Sequence, residues 1–478
     1  MIKANYLKKN YFYTPIISLF LIGALFLLFG CNDTQEKNTT FFGGKIKNPK
    51  GEYVYFYQGM QPLDSAKLNK QNRFFLELDS IKNGLYTFKH GPEYQYLYLE
   101  PKDSLLIYLN TWDFDESLIF SGKGSGKNNY LINLYLQQEK RDKNFKPNYK
   151  LNEEEFSALI DKGIQNELDN YQELIESEEG STSELFEKLA KTSILFPFYT
   201  RKEYYPFYHK WQAKLKDFPE VSDEFYTYRK DIDLNDESLI DYAPYVVYVK
   251  THLSILAHTE SALHPEKSNT ELNFMNIVKD KIHIESFKNE LLAISLERSL
   301  SNQNLTDKEF AQIQNYFFEE CTNEVLKNKL KRSISQKELI KKGDSLPNII
   351  AYNTSGNQTS INDLTKNNTS VIYFWPKDLA RIEMLNEKLV SLEENYPDIL
   401  FIGIERNKNN EDWQNFVVNK KLVKSKQFNL SNTAENYSWF EGDMARTIIV
   451  NSKGIVENSY LFFNDKYFEE SLQKLKKP

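Results

Sequence analysis

The stretch Ser370-Val371-Ile372-Tyr373-Phe374-Trp375-Pro376-Lys377-Asp378-Leu379-Ala380-Arg381-Ile382-Glu383 decides the fold. A run of β-branched and aromatic residues ends at Trp375, a short polar turn follows, and a helical apolar period begins at Leu379. This is the pattern of a buried strand feeding a helix, with Asp378 placed to cap it. Working outward, Leu379, Ile382, Leu385, Leu389 and Leu392 share one helical face, and Ile399 to Ile404 reads as a second buried strand. Trp413, Phe416 and Val417 mark another helix. Thr447–Val450 and Ile455–Tyr460 flank Asn451-Ser452-Lys453-Gly454 as a hairpin, and a last helix starts near Lys466. Alternating strands and helices of this kind build a mixed sheet covered on both faces.

This order, with Phe374-Trp375 ahead of a helix, resembles the thioredoxin-like domain of envelope lipoproteins of the thiol–disulfide oxidoreductase and redoxin type. Leu346-Pro347-Asn348-Ile349, Gly356 and Leu364 fit the hairpin and short helix that precede the core strand in that family, so the domain is expected over 343–478. In the family, Phe-Trp is followed by three residues and then Cys-x-x-Cys. Counted from Trp375, the cysteines would fall at Leu379 and Ile382. The resemblance also implies a cis-proline before the strand facing that motif, and Ala445 of Met444-Ala445-Arg446-Thr447 stands in its place. A cis bond before a non-proline residue costs about 2.5–4 kcal/mol, so a trans bond is expected. The implication is a scaffold with a degenerate active site and no catalytic residue. Trp375, Pro376, Lys377, Asp378, Met444 and Arg446 are then a candidate protein-binding surface, with an exposed sheet edge available to an extended peptide.

Residues 123–342 read as an irregular helical bundle. Asn152-Glu153-Glu154-Glu155, Ser181-Thr182-Ser183-Glu184 and Thr306-Asp307-Lys308-Glu309 are helix-start signals ahead of apolar periods. Gly122-Lys123-Gly124-Ser125-Gly126-Lys127 lacks the spacing and hydroxyl of a phosphate loop and reads as a flexible joint before a helix over Asn128–Glu139. His209, His252, His258, His264 and His283 have no zinc spacing, so surface or capping roles and no metal are expected. Tyr199, Tyr204, Tyr205, Phe207, Tyr208 and Trp211, interleaved with Arg201, Lys202 and Lys210 and bracketed by Pro197 and Pro206, read as a packed loop–helix corner. Stacking on a sugar or base is the alternative. Cys321 lies among acids that disfavour a thiolate.

Residues 41–122 hold short aromatic and β-branched runs at 53–57, 74–78, 84–88, 94–99 and 104–109, separated by Asn, Gly, Pro and Asp. That spacing points to a β-sandwich-like module. Its tyrosines dress a half-exposed sheet face or form a glycan platform. The chain is therefore expected to be a multidomain α+β protein.

At the N-terminus, Lys8-Lys9 precede the apolar run Ile16–Phe29, Gly30 and Cys31, the layout of a signal peptide over 1–30. Leu28-Phe29-Gly30-Cys31 resembles the bacterial lipobox, which implies lipid attachment at Cys31 and a tether over 31–40. Asn32 is not the Asp of inner-membrane retention, so an outer-membrane lipoprotein facing the periplasm or the cell surface is expected. Net charge is −7, and no basic run is visible, which disfavours a nucleic-acid partner. Only Cys31 and Cys321 are present, so no dithiol pair survives lipidation. The expected function is a lipid-anchored envelope protein, without cofactor, that binds or scaffolds envelope or outer-membrane proteins. The alternatives are a thiol–disulfide oxidoreductase or peroxide reductase working through Cys321 or a partner thiol, and a glycan- or nutrient-binding lipoprotein.

Overall fold

The computed structural model describes residues 39–79, 81–177, 182–263, 269–376, 379–406, 410–419, 422–423, 426–430 and 446–475. The expected signal peptide, Cys31, the expected tether up to residue 38, His264, Lys377, Asp378, Met444 and Ala445 lie outside them.

The first structural region is a pair of four-stranded sheets. One has the order β4 (Arg73–Asp79), β1 (Thr39–Lys47), β7 (Ser104–Asn110), β8 (Ile119–Lys123). The other has β3 (Gln61–Lys67), β2 (Tyr53–Gln58), β5 (Gly84–His90), β6 (Glu93–Leu99). Alternation drives the pairing. In β4, Phe74, Leu76 and Leu78 are buried while Phe75 and Glu77 face out. They meet Phe42, Phe56, Phe88 and Leu105 in one core between the sheets. A one-turn helix, α1 (Phe114–Ser117), lies between β7 and β8.

The glycine-rich stretch is the end of β8, a single turn residue at Gly124 and the start of a helix, not a flexible joint. Gly122 has φ of 91°, and a Cβ there would sit 2.1 Å from the Ser104 carbonyl oxygen. The helix begins at once, as α2 (Ser125–Phe145), longer at both ends than the expected span. Lys127 has no phosphate-binding setting; it is buried and paired with Glu100 at 2.8 Å.

The helical region continues through a 3-10 turn (Lys146–Lys150), α3 (Glu153–Ser177), α4 (Glu184–Gln212), a 3-10 turn (Glu224–Asp231), α5 (Ala243–Leu263), α6 (Thr270–Lys281), α7 (Glu285–Ser301), α8 (Asp307–Glu320) and α9 (Glu324–Glu338). Thr306 and Glu309 form a reciprocal capping box on α8. The cap of α4 is Ser183, within the expected start signal Ser181–Glu184, and it accepts from Phe186 N. The expected loop–helix corner is also corrected: Pro197 and Pro206 both lie inside the 29-residue α4. An interior proline loses a helical hydrogen bond. Here the flanking Phe198 and Tyr205 are buried against Tyr149, Phe156 and Phe225, which holds the helix through both positions.

The last region is a seven-stranded mixed sheet: β10 (Gln358–Ser360), β9 (Ile350–Tyr352), β13 (Gln427–Asn429), β12 (Leu400–Glu405), β11 (Ser370–Phe374), β14 (Arg446–Val450), β15 (Val456–Phe462). β11 runs parallel to β12 and antiparallel to β14, and every one of its residues is buried. Val371 and Tyr373 point into one core with α11 (Leu379–Asn395), α12 (Asn410–Asn419) and α13 (Lys466–Leu475). Ile372 and Phe374 point into the other, beside α10 (Ile361–Thr365). Burial on both faces explains the unbroken apolar run.

The open edge of β15 is occupied by the chain itself. The amides of Val456, Tyr460 and Phe462 donate to Asp344 O, Asn458 Oδ1 and Asp465 Oδ2. Tyr460 and Phe462 pack on the helical core, and Gln303 Nε2 of the helical region reaches Ser471 Oγ of α13 at 2.7 Å. Strand addition by a peptide, expected at an open edge, is therefore blocked along β15.

Candidate functional site

The site to examine is the junction where β11 hands over to α11. The Trp375 amide donates to Ile404 O at 3.0 Å, so the strand pairing continues one residue past β11. The Trp375 side chain is fully buried. Its indole Nε1 donates to Gln427 Oε1 at 2.8 Å, and Gln427 Nε2 donates to the Tyr373 hydroxyl at 3.1 Å. Rings of Tyr373 and Phe416 stand edge-on to the indole at 5.3 Å each. Burial raises the Tyr373 pKa well above its usual value, so the phenol stays neutral. Gly403 on β12 faces this group, and a Cβ there would lie 2.2 Å from Gln427 Oε1 and 2.6 Å from the Tyr373 oxygen. The glycine makes room for the amide–phenol–indole relay.

Arg446 opens β14 and is also buried. Its Nε donates to Ser459 O at 2.7 Å, and another guanidinium nitrogen donates to Gln336 O, at the end of α9, at 3.1 Å. The guanidinium lies 4.8 Å from the Tyr460 ring centre. Burial, with the nearby Arg406 charge, brings its pKa down to about 10, so it remains a cation at neutral pH. Arg446 thus ties the seven-stranded sheet to the helical region.

These placements revise the expected binding surface. Trp375, Pro376 and Arg446 are interior residues and offer no exposed patch. Lys377, Asp378, Met444 and Ala445 lie outside the described residues. Leu379 and Ile382 fall in the first turn of α11, and neither carries a sulfur. Cys321 ends α8, 1% exposed, inside the helical core. Its thiol pKa is raised, first by burial and then by Glu285 and Glu324. Of the acids adjacent in sequence Glu324 contributes, Glu285 arrives from α7, and desolvation is the larger cause. No group of metal-ligating side chains occurs among the described residues.

One polar centre was not foreseen. Glu203 of α4 is fully buried. Its Oε1 accepts from Tyr228 OH at 2.9 Å, Tyr248 OH at 3.3 Å, His252 Nδ1 at 3.0 Å and Arg229 Nε at 2.9 Å, and Arg229 also reaches Oε2. Burial alone would raise the carboxyl pKa, but the hydrogen bonds and charges of His252 and Arg229 outweigh it and hold it at about 2. His252 is therefore an interior residue, not a surface one. Its partners are spread over 203–252, and no local spacing announces them. Each of the four partners is bound to the carboxylate, so this centre is a structural pin.

No protein-family profile matches the chain, and no curated protein matches it. Similar solved structures include the thioredoxin domain of a thiol-disulfide oxidoreductase from Bacteroides vulgatus, at 18% identity over 28% of this chain and 97% of that one, TM-score 0.25. A thiol:disulfide interchange protein from Bacteroides sp. has 20% identity over 28% and 90%, TM-score 0.24. A secreted Mycobacterium tuberculosis disulfide oxidoreductase has 14% identity over 27% and 96%, TM-score 0.23.

Proposed function

We infer that the protein is a lipid-anchored component of the bacterial outer membrane whose C-terminal thioredoxin-like domain has no redox role and acts as a protein-binding or scaffolding module. One observation carries the reading. Leu379 and Ile382 begin the helix that follows β11, where a dithiol would stand, and Cys321, the one thiol left after lipidation of Cys31, is buried in the helical region. Disulfide exchange proceeds by attack of an accessible thiolate, which this arrangement does not supply. The domain serves instead as a brace: Arg446, Ser459, Tyr460 and Ser471 fasten it to the helical bundle. The anchor follows from the apolar run ending at Cys31, and the periplasm or the cell surface is the space the folded part occupies.

The test is affinity purification of the tagged protein from gently solubilised membranes, beside a Cys31→Ser control. A stoichiometric envelope protein recovered with the wild type, and lost or mislocalised in the control, is the expected result. Disulfide reductase activity in the purified wild type that a Cys321→Ser variant abolishes would overturn it.

A further inference from the structure

Two basic segments that lie far apart in sequence meet at one end of the helical bundle. The first is the end of α2 and its 3-10 turn, with Lys146 and Lys150; the second is the end of α4 and beyond, with Lys210, Lys214 and Lys216. His209 Nδ1 donates to Tyr149 O at 2.8 Å, and the Tyr149 and Tyr208 rings lie 4.9 Å apart, which fixes the juxtaposition. Between the segments is an open depression of about 690 Å3 whose walls include Lys150, Lys210, Lys214, Phe207, Trp211 and Leu215. Trp211 is 61% exposed, with Lys146 Nζ 4.3 Å from its ring centre. Leu215 and Phe218 are exposed beside it.

Several lysines of the bundle are held by acids. Lys188, Lys191, Lys279, Lys288, Lys327 and Lys329 are each paired with a carboxylate. Among the described residues none of Lys146, Lys150, Lys210, Lys214 and Lys216 has an ion-pair partner. The acids over 139–150 and 209–220 are Glu139, paired with Lys143, Asp142, held by Arg201 at 2.7 Å, Asp217 and Glu220. A chain of net charge −7 therefore presents a local cationic patch around an exposed indole.

We propose that this patch docks on an anionic phospholipid bilayer, with phosphate headgroups against the lysines and Trp211, Leu215 and Phe218 in the interfacial layer. Clustered Lys with exposed Trp, Phe and Leu is the composition of a membrane-surface contact. The docking rests on the lipid-anchor reading for its proximity to a bilayer. From Cys31 to Thr39 the chain can extend about 26–29 Å. Thr40 lies by the start of α2, since Thr40 Oγ1 donates to Glu100 O and Glu100 binds Lys127. The patch is at the other end of that 21-residue helix, about 31 Å away. With α2 lying along the membrane, the tether spans its gap while the patch touches the surface.

The test is co-sedimentation of the mature polypeptide carrying Cys31→Ser, which has no acyl chain, with vesicles of phosphatidylcholine alone or mixed equally with phosphatidylglycerol. Binding only to the mixed vesicles is expected, weakening with salt. Lys150→Gln/Lys210→Gln/Lys214→Gln together should lower partitioning on the order of a hundredfold. Trp211→Ala should weaken it with an unchanged melting temperature. Equal binding to neutral vesicles, full binding by the triple variant, or binding to an acidic polysaccharide or nucleic acid without vesicle binding would each overturn the proposal. Mass analysis of Cys31 in the native protein tests the anchor separately. An unacylated Cys31 sinks that reading, while the vesicle result still decides the patch.

Discussion

The Trp375 indole is hydrogen-bonded to Gln427 Oε1 at 2.8 Å, joining the residue after the central strand to a three-residue strand two positions away in the sheet. Gln427 also donates to Tyr373, so one amide satisfies two buried aromatic polar groups. Gln427→Leu keeps approximate volume and leaves both without their partner. An unsatisfied buried group costs about 1–3 kcal/mol. The unfolding free energy should fall by an amount of that order, read as a lower urea midpoint with an unchanged slope, and an unmoved midpoint would mean that the relay contributes nothing.

Cys321 makes a second prediction. Its burial and raised pKa should keep the native thiol unreactive towards an aromatic disulfide reagent at pH 8. The polypeptide from residue 31 onward, carrying Cys31→Ser, should release no chromophore when folded and one equivalent once unfolded in denaturant. Rapid reaction in the folded state would return Cys321 to consideration as a nucleophile.

Arg446 bridges two regions of the molecule. Arg446→Met removes the bonds to Gln336 O and Ser459 O and leaves both carbonyls underused in the interior. The expected loss is about 2–5 kcal/mol, because a charged donor is lost from buried acceptors. Calorimetry should show the C-terminal sheet melting ahead of the helical bundle in the variant. A single transition at the wild-type temperature would show that Arg446 does not couple them.

Residue chemistry explains how far the sequence could be read. β11 was legible because a strand buried on both faces must be apolar throughout, and β4 because Phe74, Leu76 and Leu78 alternate with outward residues. β3, with the sequence QPLDSAK, carries Pro62 and is almost wholly exposed, so no apolar period marks it. β13 is too short to show one. Pro197 and Pro206 read as breakers because the buried aromatic contacts that hold α4 through them come from α3 and the 3-10 turns. At the candidate site, the absence of sulfur at Leu379 and Ile382 was readable, since residue identity alone gives it. The burial of Trp375, Pro376 and Arg446 was not readable, because it depends on Gln427, Gln336 and Ser459 arriving from other elements. The same holds for the cationic patch, whose lysines become neighbours only when α2 and α4 end side by side.

The buried Glu203 carboxylate sets an acid limit on stability. Its folded pKa is about 2 against 4.5 for the free side chain. A depressed pKa means that the folded state favours the ionised form. The stabilisation is therefore complete above about pH 4.5 and is lost as pH falls towards 2. The difference corresponds to about 3 kcal/mol at neutral pH. Asp103 and Asp115 have raised pKa values and act in the opposite sense, so the wild-type profile alone does not isolate the term. Glu203→Gln does. It removes the titrating group, leaves Arg229 without its countercharge, and should cost about 3–5 kcal/mol at pH 7. Below pH 4.5 the gap between wild type and variant should narrow, because the unfolded wild-type chain takes up a proton at Glu203 that the folded state still excludes. Denaturant titrations of both proteins at pH 7, 5 and 3 would measure it. A gap that stayed constant across that range would show that Glu203 is not the group whose charge holds Tyr228, Tyr248, His252 and Arg229 together.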